Sequence, residues 1–139
     1  MKRFMAALLA LCVVALGASA LAEARLTEVQ MLYEDYDGNQ ANQMVNDEAT
    51  LEELEQILLR ARENPAKLEG CTMNCTLLCT LPSGEIYDIA VATDGCPYIT
   101  DMASDKTYRL EDDDQTRLWE IFDLIRETMG FDAAVVMGW

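Results

Sequence analysis

Residues 75–92 read CTLLCTLPSGEIYDIAVA, two apolar runs on either side of Pro82-Ser83-Gly84. Three residues is a hairpin length: proline presets φ for a type I turn, and glycine takes the left-handed position that follows it. A loop of that length fixes the register. Leu81 then faces Glu85, Cys79 faces Tyr87, Leu77 faces Ile89 and Cys75 faces Val91. Because side chains alternate along a strand, one face of the pair becomes apolar. The other carries Thr76, Leu78, Thr80, Ile86, Asp88 and Ala90. A shift of one residue would set Cys79 against Asp88 and mix the two faces. The pair therefore predicts an antiparallel sheet with one face to be covered.

Towards the N-terminus, Leu26 to Tyr33 alternates, with Thr27, Val29, Met31 and Tyr33 on one side and Glu28 and Gln30 on the other, the period of a half-buried strand. Asp37-Gly38 can turn the chain into a short return strand at Gln43 to Val45. Thr50-Leu51-Glu52-Glu53 has the capping-box pattern, so a helix is expected from there until Pro65, with Leu51, Leu54, Leu58 and Ala61 on its apolar stripe and Ile57 beside them. Towards the C-terminus, Asp94-Gly95 turns the chain into a strand at Tyr98 to Asp101, and Thr107 to Leu110 gives another. A last helix opens on the acidic run Glu111 to Asp114, buries Leu118, Ile121, Phe122, Ile125 and Met129, and closes at Gly130. The expected fold is α+β: an antiparallel sheet in the order β-β-α-β-β-β-β-α, with both helices packed on one face.

Residues 1–22 have the three regions of a secretory signal peptide. Lys2 and Arg3 are basic, Phe4 to Ala15 is an apolar run, and Ala20-Leu21-Ala22 is a small-x-small cleavage site that leaves Glu23 first. An uncleaved anchor and lipidation at Cys12 are the alternatives, the second hampered by Leu11, which stands where a small residue is needed. Residues 23–139 then form a single secreted domain, with the apolar tail 131–139 unassigned. Without Lys2 and Arg3 the domain has 8 basic residues against 25 acidic ones, a net charge of −17. That charge disfavours nucleic-acid phosphates and anionic lipid heads, so no nucleic-acid partner is expected, and no membrane contact beyond the signal segment. The chain has no histidine, which removes Ser-His and Cys-His catalysis and the commonest nitrogen ligand of zinc.

Four cysteines remain after cleavage. Cys75 and Cys79 on one strand would lie about 13 Å apart at ~3.3 Å per residue, too far to bridge. Cys71 and Cys96 flank the same end of the hairpin and form the favoured disulfide, consistent with export. Cys75 and Cys79 read as buried thiols packed as small hydrophobes, with a second bridge from either to a neighbour as the alternative. A second reading makes the cysteines a thiol redox or metal-handling set, with Cys71, Cys75 and Cys79 as the ligand series, although strand spacing separates those sulfurs too widely for one ion. Asp35-Tyr36-Asp37-Gly38-Asn39 resembles the start of a calcium loop. Gln40 stands where that loop needs glycine and Asn46 where it needs a bidentate glutamate, so a hairpin turn is the plainer reading and weak calcium binding the lesser one. Glu111 to Asp114 reads as a solvated helix start. Trp119 lies beside the helix stripe, as rim packing or as an interface anchor. No catalytic set assembles, no metal site is assigned and no cofactor is implied.

The pattern of Thr50-Leu51-Glu52-Glu53-Leu54, Pro82-Ser83-Gly84, Asp94-Gly95-Cys96, Tyr108-Arg109-Leu110 and Leu118-Trp119-Glu120-Ile121-Phe122 resembles small exported α+β proteins of Gram-positive anaerobic bacteria, over most of residues 25–126. These are structural elements, and the resemblance transfers no site. The functional expectation is an exported, non-enzymatic binding domain. Its interaction face is the hairpin side bearing Thr76, Leu78, Thr80, Ile86 and Asp88, or the edge of the meander. Its partner would be a basic protein or a cell-envelope component, drawn by the acidic surface.

Overall fold

The hairpin forms in the register its loop length requires: Cys75 faces Val91, Leu77 faces Ile89 and Cys79 faces Tyr87. The turn closes through the Leu81 N–H to the Glu85 carbonyl and the Gly84 N–H to the Leu81 carbonyl, both 2.9 Å, with Gly84 at φ 83°. These details come from a computed structural model that describes residues 25–130. The expected signal segment over residues 1–22 and the tail over 131–139 lie outside the described residues.

The described elements are β1 (Glu28–Glu34), β2 (Gln40–Val45), α1 (Glu48–Arg62), β3 (Pro65–Ala66), β4 (Cys75–Thr80), β5 (Ile86–Val91), β6 (Tyr98–Asp101), β7 (Lys106–Arg109), α2 (Asp112–Ile121) and α3 (Asp123–Thr128). The strands make one sheet in the order β2-β1-β4-β5-β6-β7-β3, antiparallel throughout. The protein is α+β as expected.

The helices pack on one face of the sheet. Val29, Met31, Cys75, Leu77, Cys79, Ile89, Val91 and Ile99 point from the strands into a core closed by Leu51, Leu54, Ile57 and Ala61 of α1 and by Leu118, Phe122 and Ile125 of α2, the junction and α3. Burying each of the Val, Leu, Ile, Met and Phe side chains among them contributes roughly 1.5–3 kcal/mol, so the covered face supplies much of the stability. Trp119 is buried with them, which removes it as an exposed interface anchor.

Several sequence expectations are corrected. The helix α1 starts earlier than Thr50, because Asp47 is its N-cap and accepts the Thr50 N–H at 2.9 Å. An aspartate whose carboxylate reaches the amide three residues on is as good a cap as threonine, and it adds a turn of helix. Glu53, freed from capping, accepts two hydrogen bonds from Arg117 at 2.7 and 2.9 Å. On α1 it is Ile57 that is buried, with Leu58 half-buried beside it. The C-terminal helix is two helices, broken at Phe122, where φ −101° and ψ 52° leave the helical region. The break lets Phe122 sit fully buried while α3 turns onto β1 and β2, where the Gln43 side chain receives the Leu124 N–H at 3.0 Å and donates to the Ile121 carbonyl at 2.8 Å. Gly130 does close α3, at φ 69°. The acidic run is not wholly solvated, because Asp114 is only 7% exposed and receives a bidentate guanidinium from Arg60 at 2.6 and 2.9 Å. The strand pair β3–β7 was not expected. Its Pro65, lacking an N–H, is tolerated because β3 lies at the sheet edge.

Candidate functional site

Three places carry the residues singled out in the sequence. The first is the end of the sheet where β4 begins and β5 ends. There Cys71 and Cys96 form a disulfide with their Cα atoms 6.2 Å apart, 25 residues separated in sequence. Closing a loop of that size stabilises a chain by about 3.5 kcal/mol on the loop-entropy estimate. Asp94 holds both sides of this cap: its Oδ2 accepts the Thr72 N–H at 2.7 Å and its Oδ1 the Cys96 N–H at 3.3 Å. Thr93 adds a backbone bond to the Thr72 carbonyl at 2.8 Å and a hydroxyl bond to the same oxygen at 3.2 Å. From α2, the Gln115 amide donates to the Gly95 and Cys96 carbonyls at 3.2 and 3.1 Å. Cys71 Sγ, Cys96 Sγ and an Asp94 carboxylate oxygen all lie within 4.8 Å of one another. In the sequence Asp94 is legible only as a turn residue. Its position two before Cys96 was the available signal for a larger part.

The second place is the core below that cap. Cys75 and Cys79 are free and buried, as read from the sequence. Loss of hydration pushes both thiols up to about 12, so each stays protonated and un-nucleophilic at neutral pH. The series Cys71, Cys75, Cys79 does not come together as a ligand set: Cys71 is in the disulfide, whereas Cys75 and Cys79 point into the core from β4.

The third place is the sheet face away from the helices. Thr76, Leu78 and Thr80 of β4 are half-buried there, and Ile86 and Asp88 of β5 are exposed. Gln30 and Asp88 stand directly opposite Leu78, and Thr80 opposite Ile86. Residues of the same parity extend the surface onto β1 and β2, where Leu32 is 37% and Met44 51% exposed, beside Ile86 of β5 at 55%. Ala90, expected on this face, is shielded, since its small side chain lies between its direct partners Thr76 and Thr100. The edge of the meander is not open. β4 pairs with β1 and β5 with β6, so the sheet's outer strands are β2 and β3.

Two further features bear on chemistry. The Asp35 carboxylate accepts the Asp37 and Asn39 N–H groups at 2.9 and 2.8 Å and the Asn39 side-chain amide at 2.7 Å, which holds its pKa below the usual value. Its oxygens are thus engaged in building the hairpin turn. On the helix side, a groove of about 520 Å³ runs between α1 and the opposite end of β4 and β5, with Leu51, Leu58, Cys79, Tyr87 and Ile89 among its walls. Of its acids, Glu48 pairs with Arg25, and Glu55 accepts the Leu26 N–H.

A scan of family models, a search of curated proteins and a search of solved structures each return no match.

Proposed function

We propose that the chain is an exported, non-enzymatic binding domain that meets its partner through the sheet face opposite the helices. The observation that carries this reading is the exposure of Ile86, Met44 and Leu32 on that face, around half-buried Leu78. A lone exposed apolar residue is ordinary, but several clustered on one side of a sheet mark a contact surface. The disulfide fits an exported chain. The partner is a basic protein or a basic cell-envelope component, approached faster at low salt because the chain is strongly acidic. Against a thiol redox role for Cys75 and Cys79 stands their burial. Against calcium binding at the first hairpin stands the use of Asp35 by the turn.

The test compares Leu78→Asn with Leu77→Asn, because neighbours on one strand point to opposite faces. Asparagine is chosen over aspartate since Asp88 lies directly across from Leu78. Leu78→Asn should keep the wild-type circular dichroism and lose retention of a basic partner from the native extracellular medium by tenfold or more. Leu77→Asn buries an unpaired amide and should unfold the domain. Partner retention unchanged by Leu78→Asn, or turnover of a hydrolase or redox substrate abolished by one substitution, overturns the reading.

A further inference from the structure

We propose that reduction of the Cys71–Cys96 disulfide turns the cap at the end of β4 and β5 into a site for a soft divalent cation of the zinc class, held by Cys71 Sγ, Cys96 Sγ and an Asp94 carboxylate oxygen, with water as fourth ligand. This site lies at one end of the sheet and is independent of the binding face proposed above. Two thiolates and a carboxylate are a ligand set that zinc accepts, and a water completes four-coordination. The ligand set differs from the cysteine series read in the sequence, since Asp94 takes the place of Cys75 and Cys79.

The geometry is already close. The three ligand atoms lie within 4.8 Å of one another. Tetrahedral zinc, with bonds of ~2.3 Å to sulfur and ~2.1 Å to oxygen, sets such atoms about 3.5–3.8 Å apart. Once the S–S bond is cut, the sulfurs need only separate to that distance. Rotation of the two side chains supplies it, with the Cα atoms left near 6.2 Å.

What makes the site available is that hydrogen bonds, as well as the disulfide, hold its backbone. Asp94 ties Thr72, next to Cys71, to Cys96. Thr93 bonds Thr72 twice, and Gln115 of α2 fixes the carbonyls of Gly95 and Cys96. The hydrogen bonds that position the disulfide thus hold the two cysteine-bearing segments together after its reduction. The same bonds to the Asp94 carboxylate aim it at the cap and leave it further lone pairs to offer a metal.

The chemistry balances with a dithiol as reductant. The dithiol gives two electrons and two protons to the S–S bond and becomes a cyclic disulfide, leaving Cys71 and Cys96 as thiols. The cation then displaces those two protons to water and binds both thiolates. Disulfide and cation exclude one another, so the oxidised chain should not bind at this place.

Cobalt(II) is the probe, because thiolate coordination gives it a charge-transfer band and tetrahedral geometry gives it visible d–d bands. The full-length chain carrying Cys12→Ala, which removes the one cysteine of the expected signal segment, is reduced anaerobically with excess dithiol, freed of it and titrated with cobalt(II) beside its oxidised form. Expected is one cobalt per reduced chain with both sets of bands, none for the oxidised chain, and unchanged far-ultraviolet circular dichroism on reduction. Asp94→Asn removes the charge and keeps one of the two acceptor oxygens that the cap uses, so with wild-type circular dichroism in its oxidised and reduced forms it should still bind cobalt tenfold or more weakly. Cys71→Ser should abolish the charge-transfer band of a two-thiolate site. The proposal is overturned if the reduced chain shows no such band, if Asp94→Asn binds like wild type, if binding survives in Cys71→Ser through Cys75 and Cys79, or if reduction unfolds the cap.

Discussion

Cys75 and Cys79 show how a single burial fact decides between chemistries. Both are on β4 facing the core, and loss of hydration disfavours the thiolate in each. A nucleophilic cysteine needs a nearby positive charge, a helix N-terminus or a low-pKa setting, and the dominant influence on both thiols is burial. Alkylation checks this. At pH 8, two thiols per chain should resist iodoacetamide in the native protein and react within minutes once denaturant is added. Rapid labelling of either one in the native state would contradict the burial. The pairing of Cys71 with Cys96 was legible in the sequence because one strand held the other two cysteines apart. Asp94 was not legible as the anchor of that pair, since its bonds to Thr72 and Cys96 appear only when the two segments meet.

Among the elements, legibility followed the strength of local rules. The β4–β5 register could be read because a three-residue Pro-Ser-Gly loop leaves the strands no freedom to slip. The start of α1 was misplaced because Thr50-x-x-Glu53 and Asp47-x-x-Thr50 compete as caps, and either satisfies an orphan amide. Asp47 takes the cap, and Arg117 holds the Glu53 carboxylate that a Thr50 capping box would have used. The break at Phe122 was invisible for a different reason. Leu118, Phe122 and Ile125 keep a helical period straight through it, with neither glycine nor proline to mark the turn. A prediction follows from the cap: Asp47→Ala should lower the urea-unfolding midpoint clearly, and Thr50→Ala by less, since the Thr50 backbone amide that Asp47 accepts survives the second substitution. The opposite ranking would return the cap to Thr50.

At the scale of the whole molecule, the pKa shifts define a window of stability. Glu53 is held below its ordinary value first by its hydrogen bonds to Arg117, and Asp35 and Asp47 first by hydrogen bonds to Asn39 and Thr50. A carboxyl whose folded value is depressed contributes fully above its unfolded value, near 4, and loses that contribution as pH falls through the folded one. These three pairs are exposed and screened by solvent, so the acid limb should be shallow. The alkaline limb should be steeper. Cys75 and Cys79 are raised from 9.0 to about 12 in the folded chain, so between those values the unfolded chain has released protons that the folded chain still holds. Stability is therefore complete below pH 9 and falls as pH rises towards 12, by up to ~1.4 kcal/mol per pH unit for each thiol. Tyr33 and Tyr87 are raised as well, both first by burial, and add to the loss above pH 10. Urea unfolding of the oxidised protein at pH 4, 7, 10 and 11 should thus show a midpoint flat from about pH 5 to 9 that drops more on the alkaline side. Cys79→Ala should lower the plateau through the cavity it leaves, and flatten the alkaline limb relative to wild type. A midpoint as high at pH 11 as at pH 7 would mean that the thiols are already hydrated in the folded chain, and would reopen their use as nucleophiles.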